Sequence, residues 1–274
     1  MRTPPTGPAP TPVTRLVTVV RADNPGPMTL DGTRSYLVAA PGNAGRVVVD
    51  PGPDDVVHLE RLASGARVEL VLVTHRHADH TGGAARLHAR TGAPVRAADP
   101  AHCHGGRPLT GGEVIEAAGV RIEVLATPGH TADSVCFVLP DDGPSASVLT
   151  GDTVLGRGTT VLAEPDGSLR DYLASLDRLE ALTRPEGPAV VGLPGHGPAV
   201  EDLGEKVRAY RAHRLERLDQ VRAVLVAQGV DASAPGAVDL VVAHVYGDVD
   251  PSVRGAARQS VTAQLVYLRG TGAP

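Results

Sequence analysis

The chain has 274 residues, of which 42% are hydrophobic, and a net charge of −5. This length predicts one large domain, or one domain with a small appendix, and enough apolar residues for a sizeable core. The acidic balance and the scarcity of aromatic residues (five Tyr, one Phe and no Trp) argue against broad electrostatic capture of nucleic acid or a platform for stacking many bases. Binding of nucleic acid through a local basic patch remains compatible with this composition.

The two cysteines, Cys103 and Cys136, are too few for a disulfide framework in a chain of this length. The first residues lack the apolar segment of a signal peptide. No run approaches the ~18 apolar residues that a membrane span requires. We therefore expect a soluble, cytoplasmic protein with no membrane partner.

The elements predicted from hydrophobic patterning begin after a Pro-, Thr- and Ala-rich stretch, residues 1–12, which is expected to be disordered. Strands, turns and helices alternate as far as residue 203, and only helices follow. We therefore expect one domain over residues 13–203 and a helical C-terminal domain over residues 204–274. The predicted strands are residues 13–20, 35–39, 46–49, 68–73, 95–98, 113–115, 120–125, 134–139, 147–150 and 189–191. The predicted helices are residues 54–64, 81–91, 171–182, 201–228, 235–246 and 251–268.

Side chains that bind metals follow several of these strands. Four of them come within six residues, directly after the strand over residues 68–73: His75, His77, Asp79 and His80. Three more follow later strands or turns: His130, Asp152 and His196. A single histidine is more often a surface or core residue, but burying this many polar groups without a metal would be costly. Because ligand sites lie at the carboxyl ends of strands in open α/β sheets, we expect all seven at one rim.

Five imidazoles and two carboxylates exceed the four ligands of one tetrahedral zinc ion. They suit two divalent ions a few ångströms apart that share a water and one carboxylate. Because the set contains no thiolate, zinc is the first expectation, and iron or manganese remain open.

The motifs at residues 75–80, 127–131, 151–152 and 195–197 resemble, in this order, those of the metallo-β-lactamase superfamily, over roughly residues 14–200. The resemblance implies that residues 13–203 form a catalytic domain with a four-layer αβ/βα sandwich and metals at one edge. It also implies a role for each ligand. His75, His77 and His130 would bind one metal, Asp79, His80 and His196 would bind the other, and Asp152 would bridge them. Asp50 matches a carboxylate that orients a ligand histidine, although an ordinary turn residue is the alternative.

Residues 24–37, residues 151–161 and the helix that carries His213 and Arg214 resemble, more narrowly, the β-lactamase-like protein 2 group. Members of that group carry a small helical, winged-helix-like C-terminal region, and some cleave single-stranded RNA. The chain departs from the group at Arg34, where Asn is usual, and at Gln264, where His is frequent.

The expected reaction is a hydrolysis in which a hydroxide held between the two metals attacks a carbonyl carbon or a phosphorus. Asp79 could also transfer a proton. Single-stranded RNA phosphodiesters are the first expected substrate. A thioester, as in hydroxyacylglutathione hydrolases, or another small acyl ester is the alternative. Two other interpretations are weaker. A non-catalytic protein that uses its helical tail for a partner or a homodimer is expected to have lost some ligands, whereas the set here is complete. An oxygen- or nitric-oxide-reducing di-iron protein is expected to have more carboxylate ligands and a flavin domain, whereas this chain has His77 and no room for such a domain.

Clues to the substrate are few. Arg157, in a Gly-rich loop, could contact an anionic group, and Tyr36 could line the cleft, although a solvated Arg and a core Tyr are the ordinary alternatives. One further pattern, a stripe of basic residues at near-helical spacing, could bind phosphates: Arg208, Arg211, His213, Arg214 and Arg217. Acidic residues interrupt the stripe, which favours an ion-paired surface helix.

Overall fold

Two mixed β-sheets face each other in the computed structural model, which describes residues 9–183, 186–250 and 254–271. The first sheet has the spatial order β1-β2-β3-β4-β5-β6. Its first four strands are antiparallel, and β4, β5 and β6 are parallel. Its strands are β1 (Thr11–Pro12), β2 (Val17–Arg21), β3 (Arg34–Val38), β4 (Gly45–Val49), β5 (Arg67–Leu72) and β6 (Val95–Arg96).

The second sheet has the order β11-β10-β9-β8-β7, in which only β11 and β10 are parallel. Its strands are β7 (Val114–Ala117), β8 (Val120–Ala126), β9 (Val135–Leu139), β10 (Ser147–Gly151) and β11 (Val191–Pro194). The helices are α1 (Val56–Ala63), α2 (Ala78–Thr81), α3 (Ala84–Thr91), α4 (Leu169–Ala181), α5 (Leu203–Gln228), α6 (Ala237–Val245) and α7 (Arg254–Thr271).

Three apolar clusters hold the layers together. Residues from the inner faces of both sheets, Tyr36 and Phe137 among them, form the central cluster. Leu59 of α1 and Leu87 of α3 cover the outer face of the first sheet, and α4 with the C-terminal helices covers the second. Strands buried on both faces read as continuous apolar runs, as in β4 and β9. The architecture confirms the predicted αβ/βα sandwich with helices at its C-terminal end.

The ends of the chain refine the predicted boundaries. Residues 1–8 of the segment expected to be disordered lie outside the described residues, but Thr11 and Pro12 pair with β2, so ordered structure begins before residue 13. Helix α5 begins at Leu203, and its Val207 and Tyr210 share one apolar cluster with Val138 of the second sheet. The part of residues 204–274 that the structure describes contains three helices and no strand. No described helix is both long and apolar enough to cross a membrane.

Buried His58 of α1 leads to a pH prediction. Burial, aided by the charge of Arg61, lowers the pKa of His58 from 6.5 to about 4, and its Nε2 contacts Ser35 Oγ at 2.8 Å. Between pH 6.5 and 4, His58 is largely protonated in the unfolded chain and largely neutral in the folded chain. The free energy of unfolding therefore falls as the pH drops from 6.5 to 4. His58 accounts for about 3 kcal/mol of that loss.

The variant His58→Gln keeps a neutral polar group and removes the titration. We expect its free energy of unfolding, measured by urea titration with a chelator present, to fall by about 3 kcal/mol less than that of the unaltered chain between pH 6.5 and 4. Parallel pH profiles for the two proteins would contradict this assignment.

Candidate metal centre

The ends of four strands bring the seven candidate metal ligands to one rim. His75 and His77 follow β5, and the helical turn α2 then presents Asp79 and His80, because the carbonyl of His77 accepts hydrogen bonds from the amides of His80 and Thr81. His130 lies on the turn between β8 and β9, Asp152 directly follows β10, and His196 lies two residues after β11. The sequence predicted a loop where α2 forms.

The ring nitrogens and carboxylate oxygens of the described residues converge in three overlapping groups, two of which share no residue. In the first, His77 Nδ1 lies 3.0 Å from both His75 Nε2 and His130 Nε2. In the second, Asp79 Oδ2 lies 3.3 Å from His80 Nε2 and 3.1 Å from His196 Nε2, and these two nitrogens are 3.3 Å apart. These two groups contain the residues that the family resemblance assigns to the two metals, and that assignment stays a prediction. The third group consists of His75, His80 and Asp152.

Asp152 lies between the two groups. Its Oδ1 is 3.5 Å from His80 Nε2, and its Oδ2 is 3.4 Å from His196 Nε2 and 3.8 Å from His130 Nε2. Oδ1 is buried and has no hydrogen-bond partner among the described residues. A buried carboxylate oxygen without a donor needs another electropositive partner.

The donor set and its spacing fit divalent ions. Ligand atoms about 2.0–2.1 Å from a tetrahedral zinc ion lie roughly 3.3 Å from one another, which matches the separations within both groups. Gly195 preserves the room, because a Cβ at this position would collide with Asp152 Oδ1 and would lie 2.6 Å from His80 Cε1.

Hydrogen bonds on the outer side of the rings fix which nitrogen faces inward. His130 Nδ1 must donate to the carbonyl of Val161 (2.8 Å), and His80 Nδ1 donates to Asp50 Oδ2 (2.8 Å), so the Nε2 atoms of both rings face the centre. Asp50 also accepts from the amide (2.7 Å) and the hydroxyl (2.8 Å) of Thr74. Because that hydroxyl donates to Asp50, it can accept from His75 Nδ1 at 3.0 Å.

Neighbouring charges and burial shift the pKa values of these residues in different directions. Burial raises the pKa of Asp152, but the imidazoles of His80 and His196 outweigh burial and hold it well below its usual range. Burial lowers the pKa of His75, and the neighbouring His80 lowers it further. Burial also lowers the pKa of His196, but hydrogen bonds to Asp152 and Asp79 raise it overall to about 9.

Two residues that the sequence did not single out orient Asp79. The amide of Thr33 donates to Asn24 Oδ1 (2.8 Å), so Asn24 Nδ2 donates to Thr33 Oγ1 (2.9 Å). The one hydroxyl proton of Thr33 then points to Asp79 Oδ2, 3.2 Å away. Asn24 lies in a Pro- and Gly-rich turn. Its link to the site runs through Thr33, whose contact with Asp79 the structure reveals.

The variant Thr33→Val keeps the side-chain shape and removes the donor to Asp79. We expect zinc affinity to fall by about tenfold, as for other residues that orient metal ligands, in a competition titration with a chelating dye. The control Thr262→Val, in α7, loses a hydrogen bond to the Arg258 carbonyl and leaves Asn24 and Thr33 unchanged. Equal affinities for the two variants would contradict the orienting role of Thr33.

A cavity of about 340 Å³ opens beside His130 and Asp152. Arg157 lies in its wall and is exposed. Tyr36 is not among the residues that line this cavity: it is 3% exposed and donates to the carbonyl of Pro194 (2.7 Å), and its contact with a substrate stays a prediction. The predicted basic stripe divides: Arg208 and Arg211 pair with Glu180 and Asp177 of α4, whereas three of its members line the cavity, His213, Arg214 and Arg217.

The model of the metallo-β-lactamase superfamily matches residues 28–196, which include all seven converging residues. The chain belongs to the metallo-β-lactamase superfamily. It is therefore a hydrolase of that superfamily, and its His/Asp groups could hold divalent metals.

Relatives extend the similarity beyond the family model. The lactamase-like protein aptB of Emericella nidulans is 32% identical over 92% of this chain and 80% of its own. The atrochrysone carboxyl ACP thioesterase of Aspergillus chevalieri is 31% identical over 88% of this chain and 76% of its own. A β-lactamase domain protein from Burkholderia ambifaria has the same fold, with a TM-score of 0.76 at 24% identity over 97% of this chain and 90% of its own. These names do not single out the β-lactamase-like protein 2 group.

Proposed function

We propose that this metallo-β-lactamase superfamily protein is a dinuclear zinc hydrolase that cleaves a thioester or a related acyl ester. The observation that carries the proposal is the pair of ligand groups joined by Asp152, at the mouth of a mostly apolar cavity. The thioesterase names among the relatives support the thioester as the scissile bond. The fold and the site alone would leave the substrate class open.

His75, His77 and His130 would hold one ion, Asp79, His80 and His196 would hold the other, and Asp152 would contribute to both. When bound, the ions supply Lewis acidity, which lowers the pKa of water and polarises a carbonyl group. Nitrogen and oxygen ligands without a thiolate suit zinc, and also iron or manganese. Asp50, Thr74 and Val161 keep the imidazoles in the binding orientation through their outer nitrogens.

The protonation of His80 and His196 is consistent with cation binding. Burial lowers the pKa of His80, but Asp50 and Asp152 raise it well above its usual value, and the pKa of His196 is raised to about 9. In the metal-free centre a proton on each ring therefore balances the carboxylates. Divalent ions would replace these protons, so metal affinity should increase with pH.

Asp79 would serve mainly as a ligand. Burial raises its pKa, but His196 and His80 lower it far below the usual range. The carboxylate therefore stays ionised at neutral pH and is a weak base. We assign Asp79 the binding role first, and proton transfer only towards strongly acidic partners.

The helical region over residues 204–274 would supply one wall of the substrate site in this proposal, next to a catalytic domain over residues 13–203. His213 and Arg217 of α5 and Tyr246, which follows α6, line the cavity together with Arg157 of the catalytic domain. Apolar walls suit an acyl chain, and Arg157 would contact an anionic part of the substrate.

Cleavage of single-stranded RNA, the first expectation from the sequence, has less support than its alternative. Three of the relatives carry thioesterase names, and Arg208 and Arg211 form ion pairs with Glu180 and Asp177 of α4. A phosphodiester backbone needs several free cations in a row.

The test assays zinc-loaded protein on an acyl thioester of N-acetylcysteamine, on a glutathione thioester and on a fluorescent single-stranded RNA. We expect thiol release from at least one thioester, intact RNA, and no thiol release by the folded variant His77→Ala. RNA cleavage that His77→Ala abolishes, with no thioester hydrolysed, would contradict the proposal.

A further inference from the structure

The cavity beside the metal-ligand cluster has an unusual distribution of charge. Its walls are largely apolar and include Met28, Leu30, Leu155, Val161 and Tyr246. The charged side chains in these walls are three arginines and one carboxylate, Asp152, which belongs to the metal-ligand cluster. The chain as a whole has a net charge of −5, so this concentration of cations is local.

No carboxylate that the structure describes forms an ion pair with Arg157 or Arg217. Arg157 forms no hydrogen bond or ion pair with any residue that the structure describes. Arg217 lies over the ring of Tyr246, with 5.2 Å from its Cζ to the ring centroid, and donates to the neutral Gln220 at 2.9 Å. Neither guanidinium is paired with a described carboxylate, in contrast to Arg208 and Arg211 on the outer side of α5.

Arg214 adds a third cation behind them. It is 5% exposed, lies 5.2 Å from the ring of Tyr172 and donates to the carbonyl of Thr160. Its buried Nε has no hydrogen-bond partner among the described residues. Burying a cation without a counter-ion costs free energy, which a bound anion would offset.

The chemistry of these groups selects the ligand. A guanidinium binds a carboxylate or a phosphate through paired N–H donors, and its hydrogen bonds to an anion are stronger than those to a neutral group. The apolar remainder of the wall suits a hydrocarbon chain. A substrate with a hydrocarbon part and an anionic group would match both features, whereas a neutral acyl ester would leave the arginines unpaired.

We propose that Arg157 and Arg217 form an anion-binding subsite in this cavity, and that the enzyme selects acyl thioesters that carry a carboxylate or a phosphate apart from the scissile bond. This proposal rests on the proposed thioester hydrolysis. The anion could be a carboxylate on the acyl part or a phosphate on the thiol part of the substrate, and the two sources can be separated by experiment.

The test uses two matched substrate pairs. One pair has a hexanoyl and an adipoyl group on N-acetylcysteamine, and differs only by a terminal carboxylate. The other has a hexanoyl group on pantetheine and on 4′-phosphopantetheine, and differs only by a phosphate. Each is assayed with the unaltered enzyme, Arg157→Gln, Arg217→Gln and the control Arg208→Gln, whose side chain lies on the same helix as Arg217 but outside this cavity.

We expect the unaltered enzyme to prefer the anionic member of at least one pair by about tenfold or more in kcat/KM, mainly through KM. Arg157→Gln and Arg217→Gln should each reduce that preference about tenfold, and Arg208→Gln should keep it. The pair that shows the preference identifies the source of the anion. Equal kcat/KM within both pairs, or an unchanged preference in both cavity variants, would overturn the proposal.

Binding of the corresponding non-hydrolysable thioethers, measured by calorimetry with the same four proteins, separates this proposal from the proposed function. Absence of thioester hydrolysis would count against the proposed function. A weaker affinity of Arg157→Gln and Arg217→Gln for the anionic thioether would still support the subsite. Equal affinity of all four proteins for the neutral and anionic thioethers would overturn it.

Discussion

The variant Asp152→Asn is expected to bind about one zinc ion or fewer per chain instead of about two. Its kcat/KM for thioester hydrolysis should fall roughly 10³-fold or more, because loss of metal removes Lewis acidity that contributes several kcal/mol to transition-state stabilisation. Among the described residues, Asp152 is the carboxylate that approaches both ligand groups, with Oδ1 near His80 and Oδ2 near His196 and His130. Asparagine keeps the shape and removes the negative charge that faces these rings. Metal analysis after dialysis and a thiol-release assay measure the two effects.

Asp142 offers a matched control. It is 7% exposed, compared with 9% for Asp152, and it accepts hydrogen bonds from the amide of Leu16 and the hydroxyl of Ser147. Asp142→Asn should lower the free energy of unfolding and leave the number of metals per chain unchanged. If Asp152→Asn retained two metals and full activity, the bridging role would be wrong.

The variant Asp50→Asn is expected to weaken zinc binding by about 10–100-fold, the usual consequence of removing a residue that orients a metal ligand. Asp50 Oδ2 accepts from His80 Nδ1 and from the Thr74 hydroxyl, and an amide nitrogen at this position can accept neither bond. Asparagine tolerates the positive φ of 53° at this residue, so the backbone should keep its conformation. A competition titration with a chelating dye measures the affinity.

Asp55 provides the control for Asp50. It is the N-cap of α1, where its carboxylate accepts from the amide of His58, and asparagine caps a helix about equally well. Asp55→Asn should bind zinc as the unaltered protein does. An affinity of Asp50→Asn equal to that of Asp55→Asn would refute the orienting role of Asp50.

The sequence predicted the sandwich fold and the residues that cluster at its rim better than it predicted the short elements beside them, α2 and β11. The apolar strand before Thr74 and the spacing of His75, His77, Asp79 and His80 depend on residues close in the chain, so a pattern can reveal them. Helix α2 is a single turn, too short for a periodic pattern. The sequence predicts a strand at residues 189–191, whereas β11 spans Val191–Pro194, because Pro194 argues against a central strand but is tolerated in an edge strand.

Contacts between distant segments could not be predicted. The packing of α5 determines whether one of its arginines contacts α4 or lines the cavity. The spacing of these residues in the sequence does not show this, so it predicted a single stripe that contains both Arg208 and Arg217. The position of Tyr36 in β3 is compatible with a cleft or with the core. Its hydroxyl donates to the carbonyl of Pro194, 158 positions away, and this contact places Tyr36 in the core. The link from Thr33 to Asp79 spans 46 positions and has no local signature.

The most direct test of a two-metal hydrolase is the metal stoichiometry of the purified protein, measured before chelation, after chelation and after reloading, together with thioester hydrolysis at each stage. The proposed centre predicts about two zinc ions per chain, loss of hydrolysis on chelation and recovery as about two equivalents are returned. Fewer than about one ion per chain after reloading, or hydrolysis that survives complete removal of metal, would contradict it.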